Sequence, residues 1–256
     1  MYLWDTKFAL SVAKLNKFNF ATLARYFVSK DTKHARSAMT SSKLVSRLSL
    51  ATLLQGVEKV ATLHARMEYT TKYQSIVLMG KIASGKGTQA HNILGHFGGS
   101  LYSNGNKVRE VAQQPTPFGR KMRDMYEGGY LMPEWVASYW MTHSLVSQFQ
   151  DTRVVFEAVA KKPNEAHLFD EIHGWIDRPY VVFNLDISDE IVRERSAARA
   201  RDIVDSAKSV EKRLEEYHTY TAKSIEFFRT KGTLIDIDGT LPPEEVKEQI
   251  FNYLIS

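Results

Sequence analysis

A glycine-rich loop set between a strand pattern and a helix pattern constrains this sequence most. Residues 80–88 read Gly-Lys-Ile-Ala-Ser-Gly-Lys-Gly-Thr, after the apolar run 75–79 and before the helix pattern 88–97. Glycines let such a loop curl until its backbone N–H groups converge on phosphate oxygens, and the following helix adds its positive N-terminal end. Lys86 supplies a mobile cation. The sequence therefore predicts a phosphate-binding loop with a nucleotide as its ligand.

The basic charge of the chain is concentrated at its N-terminal end. The 256 residues carry a net charge of +5. Residues 1–66 contain eleven of the 34 basic residues and only three of the 29 acidic ones, a balance of +8, so the remaining sequence carries −3. Since the part that holds the loop is mildly acidic, nucleic acid is not an expected partner of it.

Residues 1–66 are predicted to be a basic extension, followed by one domain over 67–256. The extension is rich in Ser, Thr, Ala, Lys and Arg. Such a composition is typical of an organellar transit peptide, of an arm that touches membrane surfaces or RNA, or of upstream sequence added by a wrong start codon. Met67 can itself begin the domain. We expect a cytoplasmic protein, or an organellar one if the extension is a transit peptide.

Composition argues against several classes of protein. No apolar run approaches the roughly 18 residues that a membrane span needs, so we expect no membrane-spanning segment. The sequence has no cysteine, which excludes disulfides, thiolate zinc sites and a cysteine nucleophile. The eight histidines show no spacing for a metal site. A globular protein of a reducing compartment fits these features.

Strand and helix patterns alternate beyond residue 74. A long helix is predicted over 206–230, with Val210 and Leu214 beginning its apolar seam, and a last helix begins near Pro242. Strands that alternate with helices pair in parallel through right-handed crossovers, which leaves helices on both faces of the sheet. The sequence therefore predicts a doubly wound α/β domain with a five-stranded parallel sheet. Its strands are predicted at residues 75–79, 99–102, 153–157, 179–185 and 233–237.

A carboxylate follows the third predicted strand. In an open parallel sheet, the carboxyl ends of the strands face the ligand crevice. Glu157 ends the run 154–156, so its side chain can reach a water molecule bound to a metal ion. A carboxylate at a strand end, together with a phosphate-binding loop, indicates a nucleotide bound with Mg²⁺.

Five stretches, spread over about 120 residues, form a recognisable series. They are the loop continued to Gln89, Ser-Asn-Gly-Asn-Lys-Val-Arg at 103–109, Gly-Tyr-Leu-Met at 129–132, Glu-Ala-Val-Ala-Lys-Lys-Pro-Asn-Glu at 157–165 and Glu-Arg-Ser-Ala-Ala-Arg at 194–199. With these motifs in this order, the sequence from about 74 to 256 resembles the adenylate kinase family of nucleoside monophosphate kinases in its short-lid form. The resemblance implies a monophosphate-binding segment at about 103–132 and a lid at about 195–206.

The resemblance implies an ATP site around the loop. Arg195 falls on the arginine that stacks on the donor adenine, and Arg199 on the arginine that meets the ATP phosphates. They are four residues apart and therefore on one helix face. Ile82 and Ala83 replace a usual Pro and Gly, and the run 238–240 matches the loop that borders the adenine. The implied ATP-binding residues are Gly80, Ala83, Ser84, Gly85, Lys86, Gly87, Thr88, Arg195, Arg199 and Gly239.

The resemblance also implies an acceptor site with two departures from the family pattern. Arg109 falls on the arginine that holds the monophosphate. A second phosphate-holding arginine is replaced by Lys161, which keeps the charge but loses the bidentate fork. The glutamine that reads the base is replaced by Glu165, which only accepts hydrogen bonds while it is ionised. The implied acceptor residues are Asn104, Arg109, Tyr130, Leu131, Met132, Ala158, Lys161, Glu165, Arg201 and Arg213.

The activity that the resemblance implies is reversible transfer of the γ-phosphoryl group from Mg-ATP to a nucleoside monophosphate, with AMP expected and ADP as product. Such transfer depends on positioning and on fixed cations. We expect Mg²⁺ to be held mainly by ATP and water, with Thr88 nearby and Glu157 acting through water. The lid contains no cysteine, so no structural zinc is expected. The expected catalytic cations are Lys86, Arg199, Arg201 and Arg213.

Two alternatives follow from the departures. One is a kinase for GMP or a pyrimidine monophosphate. The other is a relative that binds nucleotide without turnover, because arginine is replaced at position 161 and the lid's usual pair of aspartates is reduced to Asp205. The presence of Lys86 and of the arginines that follow it favours an enzyme. We expect a monomer whose partners are ATP and a nucleoside monophosphate.

Overall fold

Five apolar runs form the strands of one sheet, β1 (Ser75–Met79), β2 (Ser100–Ser103), β3 (Val154–Glu157), β4 (Tyr180–Asp186) and β5 (Leu234–Asp238). The strand order is β2-β3-β1-β4-β5, and every neighbouring pair is parallel. The predicted five-stranded parallel sheet is confirmed. β1 has its predicted bounds, and each of the other strands begins one residue later than predicted.

A computed structural model describes residues 71–147, 152–199 and 206–255. The expected extension over 1–66, the start of the domain at Met67 and half of the expected lid, residues 200–205, lie outside the described residues.

Nine helices are described between and after the strands. The predicted long helix over 206–230 is divided, because a π-helical turn at Tyr217–Thr221 separates two α-helices. The helices are α1 (Lys86–Phe97), α2 (Asn104–Ala112), α3 (Pro117–Gly128), α4 (Glu134–Ser147), α5 (Pro163–Trp175), α6 (Asp189–Arg199), α7 (Ala207–Glu216), α8 (Ala222–Thr230) and α9 (Pro243–Ile255).

Local capping chemistry explains where two of these helices begin. The Ser103 hydroxyl accepts a hydrogen bond from the N–H of Asn106 at the start of α2. The Thr116 hydroxyl accepts one from the N–H of Gly119 at the start of α3, and a proline follows Thr116 at the first helical position. Hydroxyl side chains at the N-cap satisfy backbone donors that have no partner within the helix.

The apolar core lies on both faces of the sheet. On one face, Phe156 packs with Phe169 of α5 and Phe228 of α8. On the other face, Phe183 packs with residues of α1 and α9, including Ile93. β1 is buried along its whole length between the two layers. Helices on both faces confirm the predicted doubly wound α/β arrangement.

The strand order determines where a ligand can bind. β1 lies at the centre, with β3 on one side and β4 on the other, so the chain leaves the central strand in opposite directions. Such a switch point opens a crevice at the carboxyl ends of the strands, and the loops after β1 and β3 border it. In the described part of the chain, no helix has the length and apolar character needed to cross a membrane.

Candidate active site

The loop after β1 is folded tightly against the neighbouring strand. Gly80 has φ 126°, and a Cβ atom at this position would lie 2.4 Å from the carbonyl oxygen of Leu185. Gly85, which precedes α1, has φ 97°. Ala83 also adopts a left-handed conformation, with φ 62°, where the family pattern has glycine. The alanine therefore keeps a backbone conformation that glycine adopts without strain, at a cost of about 1 kcal/mol.

Lys86 folds back over this loop. Its Nζ donates hydrogen bonds to the carbonyl oxygens of Gly80, at 3.0 Å, and Lys81, and to the Ser84 hydroxyl at 3.2 Å. Burial, together with the neighbouring Lys161 and Arg199, lowers the pKa of Lys86 from 10.5 to about 7, although Glu157 opposes the shift. An anion among these cations would favour the charged ammonium form and raise the pKa again. The loop is therefore electrostatically suited to a phosphate group.

Glu157 ends β3 beside the loop. In the sheet it lies beside Leu78 of β1 and Ser103 of β2. Its carboxylate is close to the loop, because a Cβ atom built on Gly87 would lie 3.7 Å from one carboxylate oxygen. Glu157 and Thr88 both line the same cleft. These are hard oxygen donors of the kind that Mg²⁺ accepts alongside phosphates and water. Among the described residues, no group of three His, Cys, Asp or Glu side chains is placed to hold a metal ion.

On the opposite side of the cleft, Arg109 of α2 and Arg213 of α7 lie against Tyr126 of α3. Arg109 donates to the Tyr126 hydroxyl at 3.2 Å and to the Asn106 side-chain oxygen. Arg213 donates to the Tyr126 carbonyl oxygen at 2.8 Å. The nearby Lys161 has its pKa lowered to about 8, first by burial and then by Arg213, against the opposing effect of nearby carboxylates. The cleft is therefore lined by several cations besides Lys86.

Glu165 lies in the first turn of α5 and is only 3% exposed. One carboxylate oxygen accepts hydrogen bonds from the backbone N–H groups of Lys161, at 2.9 Å, and Lys162, at 3.4 Å. Burial raises the pKa of Glu165 from 4.5 to about 7, against these hydrogen bonds and the two lysine charges. Glu165 therefore stabilises the turn that carries Lys161, a role that its family position did not predict.

The segment 129–132 lies along the cleft between α3 and α4. The N–H of Leu131 donates to the Glu216 carboxylate at 3.1 Å, which ties the segment to α7. The Met132 carbonyl oxygen accepts a hydrogen bond from Lys162 Nζ at 3.2 Å. The ring of Tyr130 is largely exposed. Backbone groups of this segment therefore face the same cleft as Glu165.

Arg195 of α6 joins the loop to the turn after β5. Its guanidinium group donates to the carbonyl oxygens of Gly239, at 2.9 Å, and Thr240, at 3.3 Å, with a longer contact of 3.5 Å to that of Ala83. Arg199, one helical turn later, lines the cleft. The predicted residues Arg201 and Asp205 lie outside the described residues.

Most of the predicted site residues border one cleft of about 1010 Å³. Ser84, a residue of the loop itself, is buried and does not line the cleft. Gly239 contacts the site through Arg195 rather than lining the cleft. The functional roles of all these residues stay predictions. Those that line the cleft are Gly80, Ala83, Gly85, Lys86, Gly87, Thr88, Asn104, Arg109, Tyr130, Leu131, Met132, Glu157, Ala158, Lys161, Glu165, Arg195, Arg199 and Arg213.

Sequence reasoning missed four side chains that organise the cleft. Asn106 lies three residues before Arg109 on one helix face, a spacing that could have indicated their contact. Lys81 lies 2.7 Å from the Asp189 carboxylate, and a lysine inside the loop was the only sequence signal for it. Tyr126 and Glu216 had no local signal, because their partners are far away in the sequence.

Comparisons with known proteins agree with this geometry. The sequence model of the family described as adenylate kinase matches residues 78–233. The human protein "Adenylate kinase isoenzyme 5" is 28% identical over 192 residues, which cover 74% of this chain and 34% of the human protein. "Adenylate kinase" of Xanthomonas euvesicatoria pv. vesicatoria (strain 85-10) is 30% identical over 179 residues, 68% of this chain and 96% of the bacterial one. This chain thus spans about a third of the human relative and nearly all of the bacterial one.

Proposed function

The chain belongs to the adenylate kinase family, and we propose that it transfers the γ-phosphoryl group of Mg-ATP to AMP and forms two molecules of ADP. One observation carries the proposal. The loop lysine Lys86 and the cations Lys161, Arg199 and Arg213, which come from four different parts of the fold, line one cleft together with Arg109. A cleft of this kind suits two phosphate-bearing ligands bound side by side.

The chemistry requires little from the protein beyond positioned positive charge. In phosphoryl transfer the charge of the transition state is spread over the oxygens of the moving group and of the groups that it joins and leaves. Lys86, Arg199 and Arg213 would stabilise these oxygens, and Arg109 and Lys161 would hold the acceptor phosphate. We include Arg201 with the catalytic cations because of its position in the family motif.

A magnesium ion fits the oxygen donors at this edge of the sheet. Thr88 and Glu157 would hold it, Glu157 through water, while most of its ligands would come from ATP and water. When bound, Mg²⁺ neutralises developing charge on the phosphate oxygens. Glu157 also offsets the positive charge around Lys86, as its effect on the pKa of that lysine indicates.

The environment of Glu165 is what supports AMP as acceptor. Because its pKa is raised to about 7, a large share of Glu165 is protonated near neutral pH. The carboxyl oxygen that accepts neither backbone N–H group can, when protonated, donate a hydrogen bond to the adenine N1 atom. The ionised form favours GMP instead, because guanine N1–H and N2–H both donate. This feature makes GMP the second candidate acceptor.

The direct test is a steady-state screen of AMP, GMP, CMP and UMP with Mg-ATP, read by ADP formation. We expect AMP to have the highest kcat/KM. Glu165→Gln should raise the ratio of kcat/KM for AMP to that for GMP by about tenfold, the scale on which repairing one buried polar mismatch acts. ATP binding without ADP formation from any of the four would instead identify a non-catalytic nucleotide-binding protein.

We also propose a cytoplasmic monomer, with the domain beginning near Met67. The absence of cysteine from the whole sequence suits a reducing compartment. Light scattering of the full chain, and microscopy of the chain carrying a fluorescent tag at its C-terminus, test these two statements.

A further inference from the structure

Tyr126 contacts two of the proposed phosphate-binding arginines through three different parts of the residue. Its hydroxyl accepts a hydrogen bond from Arg109 at 3.2 Å. Its ring lies beneath the Arg213 guanidinium, which is 5.4 Å from the ring centroid. Its carbonyl oxygen accepts a hydrogen bond from Arg213 at 2.8 Å. One residue of α3 therefore connects a cation of α2 with a cation of α7.

We propose that Tyr126 is a positioning residue, which holds Arg109 and Arg213 side by side at the acceptor-phosphate end of the cleft. The inference rests on the proposed function, since it takes the acceptor phosphate as the anion that the two arginines share. The two guanidinium groups repel one another, and both belong to long side chains with many rotamers. A group that fixes both side chains beforehand lowers the entropy cost of ordering them when the phosphate binds.

The described contacts of the two arginines place Tyr126 between them. Arg109 is an exposed side chain whose second nitrogen donates to Asn106 on its own helix, so Tyr126 holds it from a different helix. Arg213 also contacts the Ser209 hydroxyl on its own helix, at 3.4 Å. In both cases, the shortest described bond to another helix is made to Tyr126. Its contribution is therefore to set the distance between α2 and α7 at the phosphate.

Two substitutions separate the parts of the residue. Tyr126→Phe removes only the hydroxyl and keeps the ring and the carbonyl. Because Arg109 would contact the acceptor in the ground state as well as during transfer, we expect the KM for the acceptor to rise about fivefold, with kcat and the KM for ATP within twofold of the unsubstituted chain. Tyr126→Leu also removes the ring beneath Arg213, so we expect an additional fall in kcat of about tenfold.

The matched control is Tyr139→Phe. Tyr139 lies on α4, is 63% exposed, and its ring contacts only His143 among the described ring pairs. Removing its hydroxyl should leave all three kinetic constants unchanged. Thermal melting of each variant checks that the fold is intact.

A double-mutant cycle with Arg109→Ala tests whether Tyr126 acts through Arg109. If it does, Tyr126→Phe should have no further effect on the acceptor KM once Arg109 is absent. An unchanged acceptor KM in Tyr126→Phe, equal increases of both KM values, or full additivity with Arg109→Ala would each overturn the inference.

Calorimetric titration of the full chain with AMP separates this inference from the proposed function. If the unsubstituted chain binds AMP but does not form ADP, the proposed function fails while the positioning role is still measured. A dissociation constant for AMP about fivefold weaker in Tyr126→Phe would support the role, and equal affinity would overturn it. The same titration of Tyr139→Phe should match the unsubstituted chain.

Discussion

Lys86 is the charge closest to the phosphate-binding backbone, since its Nζ donates to two carbonyl groups of the loop itself. We predict that Lys86→Met lowers kcat by about a hundred- to a thousandfold, the effect of losing one preorganised charge in a water-poor site. Folding should be retained, because the ammonium group is buried and removing it relieves desolvation. Steady-state ADP formation and thermal melting measure the two outcomes. Lys247→Met, on α9 and away from the cleft, should leave both unchanged.

Glu165 should make stability depend on pH in an unusual direction. Its pKa is about 7 in the folded state and 4.5 ordinarily, so the folded protein binds the proton more tightly than the unfolded chain. Its stabilising contribution is therefore present below pH 4.5 and is lost as pH rises through 7. Glu165→Gln should be more stable than the unsubstituted chain at pH 8, by roughly 2–3 kcal/mol, with the difference shrinking toward pH 5.

Urea unfolding at pH 5, 6, 7 and 8 measures this difference. Glu171→Gln is the matched control, because Glu171 lies on the same helix with its side chain exposed. A stability gain of Glu165→Gln that does not change with pH would contradict the assigned pKa.

At the scale of elements, the loop after β1 is tied to α6 by an ion pair. Lys81 Nζ lies 2.7 Å from the Asp189 carboxylate and donates to the Ile187 carbonyl oxygen at 2.8 Å. His218, in the π-helical turn, contacts the other oxygen of Asp189 at 2.9 Å. Burial would raise the pKa of Asp189, but the hydrogen bonds from Lys81 and His218 outweigh it and hold the pKa below 3.8. Asp189 thus joins three elements, the loop after β1, α6 and the π-helical turn.

We predict that Asp189→Asn destabilises the protein by about 1 kcal/mol at pH 7, the scale of one intramolecular hydrogen bond. Since the folded pKa lies below the ordinary value, the stabilisation is present above pH 3.8 and is lost as pH falls further. The melting temperatures of Asp189→Asn and the unsubstituted chain should therefore converge only as pH falls below 3.8. Asp124→Asn, an exposed position on α3, serves as the control. A gap that does not narrow as pH falls below 3.8 would refute the role of the charge.

For the whole molecule, the described part of the chain contains a complete two-sided core. Buried residues cover both faces of the central strand β1, with α5 and α8 on one face and α1 and α9 on the other. We predict that a chain beginning at Met67 folds and turns over as fast as the full chain. Thermal melting and ADP formation of the two chains, measured in parallel, test this prediction. Aggregation of the shorter chain would show that residues 1–66 belong to the working fold.

Sequence reasoning succeeded where the chemistry is local. Strand and helix periodicity predicted the bounds of the five strands within one residue. This succeeded because each pattern depends on the burial of residues that are adjacent in the chain. The loop could be recognised because its glycines, Lys86 and the following helix are adjacent in the chain. The π-helical turn at Tyr217–Thr221 was missed, since it keeps the apolar seam of an ordinary helix.

The sequence by itself determined the α/β fold, the phosphate-binding loop and the set of cations, because those features depend on residue types at short spacing. Only the tertiary structure decided how the cations are held. Tyr126 lies 17 residues from Arg109 and 87 from Arg213, so no periodic pattern could connect them. The raised pKa of Glu165 was likewise undetermined, because it results from burial of the carboxylate, which outweighs the backbone donors that gather around it only after the chain has folded.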